Sequence, residues 1–172
     1  MFRHQRGQSM KTLLGTTVVA VVFLMAYQTP LGTSAPPLAE LDAFWAEVSR
    51  TVEEGDFEGY AATYHEDAVL VSGLSGTSYP IAQALDGWKQ GFLDTKAGLM
   101  KAGVEFRFTQ RLSDETTAHE TGMFHYFVVG EDEQRTDQYV HFEALLVKKG
   151  GWKLVMEHQK SPATEEEWNA VG

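Results

Sequence analysis

The sequence predicts an α+β fold, with helices in its first half and an antiparallel sheet in its second. Two observations predict it. Between Leu38 and Leu99 the apolar residues recur every three or four positions, the spacing of one helix face. From Val104 to Lys160 they alternate with polar residues at period two, in four runs separated by short turns. Helices first and hairpin-linked strands second gives α+β, not the alternation of a parallel-sheet fold.

Each element has its own signal. Leu38, Leu41, Trp45, Val48 and Val52 form the stripe of a first helix, which Pro36-Pro37 precede and Gly55 ends. Asp56 stands where it caps a second, short helix through Phe57, Tyr60, Ala61 and Tyr64. "DAVLV" (Asp67 to Val71) reads as a short strand, and "SGLSGTSYP" as a glycine- and serine-rich loop. Ile81, Leu85, Trp88, Phe92 and Leu99 mark a third helix, with Pro80 near its start. Four strands follow, "VEFRFTQRL", "TAHETGMFHYFVV", "QYVHFEALLVK" and "WKLVMEHQK", joined by "SDET", "EDEQ" and "KGG". "SPATEEEWNAVG" is a polar tail with one helical turn capped by Thr164 and Glu167.

Residues 1–35 read as a secretory signal peptide. Arg3, Arg6 and Lys11 precede the apolar run Leu13 to Tyr27, and small residues Thr33 and Ala35 follow a polar stretch. That run has 15 residues, short of the roughly 20 that span a bilayer. The expected location is therefore periplasmic or secreted, with no stable membrane span after processing. An uncleaved amino-terminal anchor is the alternative. Residues 36–161 form the expected domain and 162–172 the tail.

The sequence has no cysteine, which excludes disulfides, thiolate metal sites and a cysteine nucleophile. Beyond residue 35 the chain carries 11 Lys and Arg against 24 Asp and Glu, a net charge of −13. A phosphate-rich partner would be repelled, so nucleic acid is excluded as a partner.

Two segments, "EEGDFEGYAATYHEDAVLV" (Glu53 to Val71) and "LLVKKGGWKLVMEHQKS" (Leu145 to Ser161), resemble the nuclear transport factor 2-like, or SnoaL-like, superfamily. They are most similar to an exported branch of unknown function and to the association domain of calmodulin-dependent kinase. The resemblance covers about Leu38 to Ser161. It implies a cone-shaped, cystatin-like fold in which a curved sheet wraps around the helices and encloses a pocket at its wide end. Members include isomerases, dehydratases, hydrolases, cyclases and non-enzymes, so fold alone names no activity.

Alternation leaves the pocket's lining open. One parity of the last hairpin holds Phe142, Ala144, Leu146, Trp152, Leu154, Met156 and His158; the other holds His141, Glu143, Leu145, Val155, Glu157 and Gln159. A one-sided sheet would turn the first set onto the helices and the second to water. The resemblance implies the reverse: His141, Glu143, Glu157 and Gln159 line the pocket with Trp88, and Tyr60 and Tyr64 either aim their hydroxyls into its mouth or pack in the core. Phe142, Leu146, Leu154 and Met156 then form an apolar face that a second copy covers as a homodimer. We take this second orientation as the expectation. Two carboxylates sharing such a cavity would repel, and one would hold a proton near neutrality.

The candidate chemistry is sparse. Aligned on "GDFEGY", the steroid-isomerase tyrosine and base fall on Val48 and Ser72, and the sheet acid falls near Ala144, beside Glu143, so two of three roles are missing. "YHED" offers His65, Glu66 and Asp67 as metal ligands, but three consecutive residues are not expected to converge on one ion. His119 with Glu120, and His125, are further candidates for a metal site or a base. Ser75 lacks the context of a nucleophile elbow. The kinase association domain carries arginines at the positions of Glu143 and Gln159, so its preference for carboxylates does not transfer. The expectation is a module that binds a small neutral or cationic molecule, with no assignable catalysis, no metal and no cofactor. The alternatives are a lyase, isomerase or hydrolase using Glu143 and Glu157 with His141, and an oligomerisation module.

Overall fold

The computed structural model describes residues 38–172; the expected signal peptide lies outside them. The fold is α+β. Its order is α1 (Leu38–Glu54), α2 (Phe57–Ala62), β1 (Tyr64–Ser72), β2 (Thr77–Pro80), α3 (Ile81–Lys96), β3 (Lys101–Ser113), β4 (Thr117–Val129), β5 (Arg135–Lys148), β6 (Trp152–Pro162) and α4 (Glu165–Ala170). The strands form one curved, unclosed sheet in the order β2-β1-β6-β5-β4-β3.

Local chemistry accounts for the helix boundaries. Gly55 ends α1 with φ +65°, and an added Cβ would meet the Lys96 backbone nitrogen at 2.4 Å, so α3 approaches where only glycine fits. Asp56 caps α2 by accepting from the Gly59 N–H at 3.0 Å. Thr164 and Glu167 form a reciprocal capping box on α4. The tail reading therefore needs amendment: β6 runs to Pro162, and buried Trp168 is 4.3 Å from the Arg107 guanidinium and 5.6 Å from the His125 ring.

Two further expectations change. The glycine-rich loop contains β2, which pairs with β1. β1 also runs parallel to β6, so the sheet is mixed. A chain that leaves β1, crosses through α3 and returns as a meander ends beside its first strand in the same direction.

The core lies between the helices and the concave sheet face. Leu41, Phe44, Trp45 and Val48 of α1 meet Ala118, Phe142, Ala144, Leu146, Trp152 and Leu154. This corrects the expected dimer face. Phe142, Leu146 and Leu154 are each at most 1% exposed and packed beneath the helices. Only Met156 of that set turns outward, beside Leu145.

The correction does not simply restore the alternative, because β6 changes faces partway along. Leu146 pairs with Leu154 and Leu145 with Met156, which leaves Val155 as an extra residue. A bulge of this kind shifts the side chains that follow it, up to the next irregularity, to the other face. Trp152 and Leu154 point inward before it; Glu157 and Gln159 point inward after it, opposite Ala144 and Phe142. A second bulge, at Thr109 of β3, turns Arg111 inward opposite Glu120. There Gly122 is required, since a Cβ would meet the Arg107 carbonyl oxygen at 2.0 Å.

Candidate functional site

The concave face, α1, α2 and α3 enclose a cavity of about 400 Å³. Its walls are aromatic: Trp45 from α1, Tyr60 from α2, Tyr64 from β1, Trp88 and Phe92 from α3, Phe106 from β3, and Phe124 and Tyr126 from β4. Tyr60 anchors one side, its ring 4.8 Å from Phe92 and 6.0 Å from Trp88. Trp45 anchors the other, 4.5 Å from Phe106. Gly87 and Gly91 of α3 also border the space, and a Cβ on either meets nothing within 4 Å.

The cavity has one polar end, built by the β6 bulge. Tyr64 donates its hydroxyl proton to Glu157 Oε2 at 2.5 Å, and Gln159 Nε2 donates to Oε1 at 2.8 Å. The Tyr60 and Tyr64 hydroxyls are 3.1 Å apart. Burial among apolar groups pushes the Glu157 carboxyl above its ordinary range, and the two donated bonds pull it partly back. Burial, and then the nearby Glu157 charge, raise both Tyr60 and Tyr64, so these phenols stay protonated. Among the described residues that line the cavity there is one carboxylate and no lysine, arginine or histidine.

Of the residues expected from the sequence, Tyr60, Tyr64, Trp88, Glu157 and Gln159 line this space, whereas His141 and Glu143 do not. They sit on the outer face because β5 has no bulge between Phe142 and Leu146 and keeps simple alternation. Glu143 pairs with Lys160 at 2.5 Å, which holds its carboxyl below the ordinary range, and lies 3.8 Å from His158. His141 faces Glu167 of α4 at 3.3 Å. The proposed carboxylate pair therefore does not form: the two groups occupy opposite faces of the sheet.

The histidine candidates separate in the same way. Glu120 is wholly buried on the concave face, while His119 and His125 belong to the outer one. His125 is 2.7 Å from Asp137. His65, Glu66 and Asp67 do converge, with one ligand-type atom each within 4.8 Å of the others, contrary to expectation. The backbone there is irregular between Tyr64 and Val69, and His65 Nδ1 accepts from the Asp67 N–H at 3.2 Å.

Sequence reasoning missed a buried network beside the cavity. The Trp45 indole N–H donates to Glu120 Oε2 at 2.5 Å, and Arg111 Nε donates to Glu120 Oε1. Arg111 also reaches Asp42 and lies 4.4 Å over the Phe108 ring. The network fixes the edge of Trp45, a cavity wall. Its one legible signal was a glutamate on the otherwise apolar parity of Ala118, Phe124 and Tyr126.

No family model matches this sequence, and no curated protein matches it. Solved structures do. A conserved protein from Planctomyces limnophilus aligns over 73% of this chain and 97% of its own, with 12% identity and a TM-score of 0.61. A putative calcium/calmodulin-dependent kinase II association domain from Exiguobacterium sibiricum aligns over 74% and 93%, with 15% identity and a TM-score of 0.57. An NTF-2 like protein of unknown function from Shewanella oneidensis aligns over 72% and 98%, with 16% identity and a TM-score of 0.55. The chain therefore has the nuclear transport factor 2-like, cystatin-like fold. Identities this low carry the fold and not the chemistry.

Proposed function

We propose that this chain is an exported small-molecule-binding module whose ligand occupies the cavity beside Glu157. The observation that carries the reading is a space of about 400 Å³ with aromatic walls and one convergent polar cluster. Binding sites typically combine these features, and their volumes run from roughly 300 to 1,000 Å³. A lone carboxylate with no basic residue beside it disfavours anions and suits a neutral or cationic, partly apolar molecule. The test is thermal stabilisation of the processed protein by a panel of small amphiphiles. Compounds that raise the melting temperature of the parent, and lose that effect with Trp88→Ala or Glu157→Gln, support the reading. A panel that stabilises nothing, or acts equally on both variants, sinks it. Export rests on the signal-peptide pattern of residues 1–35; an intact Met1 or Met10 in the mature protein would remove cleavage.

A catalytic reading keeps one supporting observation. A part-buried carboxyl with raised proton affinity, hydrogen-bonded to a tyrosine, has the character of an acid or base. It would act alone, since Glu143 is on the opposite face. Turnover abolished by Glu157→Gln with the fold intact would select this reading over simple binding.

The homodimer proposal keeps Met156 and gives it new neighbours. Val69, Met156 and Leu145 adjoin across β1, β6 and β5 on the outer face, and Val69 and Leu145 are 37% and 39% exposed. A second copy of the chain would cover this row. A strict monomer by light scattering at high concentration would exclude it.

A further inference from the structure

We infer that the ligand of this cavity is an organic ammonium, an amine carrying N–H protons on an apolar, preferably aromatic, body. The inference deepens the binding reading above and rests on it. It follows from counting protons at the polar end. An ionised Glu157 is an acceptor only, with about four lone-pair positions on its two oxygens. Tyr64 and Gln159 fill one on each. The single hydroxyl proton of Tyr64 is thereby spent, so in the 3.1 Å contact between the tyrosines Tyr60 is the donor. Tyr60 then has no proton left for a ligand. Both phenol protons are spent inside this chain of bonds, and what remains at the polar end is mostly acceptor: carboxylate lone pairs and the Tyr60 oxygen, against the one N–H that Gln159 has left. A guest that brings protons fits this end best.

Charge argues the same way. The titratable groups sharing the cavity with Glu157 are Tyr60 from α2, Tyr64 from β1 and Tyr126 from β4, all neutral near pH 7. α3 contributes Gly87, Trp88, Gly91, Phe92 and Thr95, and β5 contributes Gln138, Val140 and Phe142, none of them charged. An ionised Glu157 is thus a part-buried negative charge with no counter-ion among the described lining. A cationic guest supplies one, and the faces of Trp88, Tyr60 and Phe92 offer the quadrupole that attracts cations. An alcohol could use the lone pairs but would leave the charge unmatched, and a carboxylate would be repelled by it.

The test is calorimetric titration of the processed protein near pH 8 with 2-phenylethylammonium, 2-phenylethanol and phenylacetate, which share one apolar body. The expected result is an ammonium at least about tenfold tighter than the alcohol, a difference of about 1.4 kcal/mol, with no detectable binding of phenylacetate. In Glu157→Gln the advantage of the ammonium over the alcohol should disappear. Benzyltrimethylammonium, cationic but without N–H protons, should bind more weakly than the primary ammonium. Alcohol binding equal to ammonium, or a preference that survives Glu157→Gln, would overturn the inference and leave the cavity reading standing. Tighter binding of the quaternary ion would overturn the proton count. No binding of any probe at millimolar concentration would remove both readings together.

Discussion

Gly87 and Gly91 stand one turn apart in the interior of α3, on the side that borders the cavity. Glycine in a helix interior costs about 1 kcal/mol relative to alanine. Neither position needs glycine for its backbone: both are helical, and an added Cβ meets no atom within 4 Å. Gly91→Ala should therefore stabilise the fold by about 1 kcal/mol, and the double variant by about 2 kcal/mol. In a chain of this size each step is worth about 3 °C in melting temperature, read by scanning calorimetry. The two methyl groups would also occupy the space that a ligand uses, so affinity for 2-phenylethylammonium should fall as stability rises. Lower melting temperatures in both single variants would refute the claim that this wall is open. A raised melting temperature with unchanged affinity would show that the ligand does not reach α3.

Burial raises the Glu157 carboxyl in the folded state, so the stability it contributes is fully present below the ordinary carboxylate range and is lost as pH rises through the raised value. Glu157→Gln removes this dependence; its melting temperature relative to the parent should climb from about pH 4 to about pH 8, and a constant offset would contradict burial as the cause. Glu120→Ala removes the acceptor of the Trp45 indole and one of the two carboxylates on the Arg111 guanidinium, leaving Asp42, and should cost about 3 kcal/mol in urea unfolding. A loss under about 1 kcal/mol would show that the network carries little of the fold. Leu154→Ala should cost about 3 kcal/mol and outward Leu145→Ala no more than about 0.5 kcal/mol. The reverse order would invert the assignment of faces.

Contacts between near neighbours were legible without coordinates. The α1 stripe, the Asp56 cap, the Thr164–Glu167 box and the four long strands each follow from interactions that a short window contains. Tyr60, Tyr64 and Trp88 were readable as cavity residues through the family resemblance, because the order of elements brings α2, β1 and α3 to one end of the sheet.

What the sequence by itself determined is thus the α+β class and the order of its elements, β2 excepted. Which parity faces the helices was decided by tertiary structure alone. Alternation has a period of two and carries no marker of inside or outside, and one unpaired residue reverses it for the rest of the strand. Val155 and Thr109 are such residues, and nothing in their side chains announces it. They put Glu157 and Arg111 on the concave face, while Glu143, on an unbulged stretch of β5, stays outside. A bulge is an extra residue in one strand relative to its partner, and it exists only once the two strands are paired.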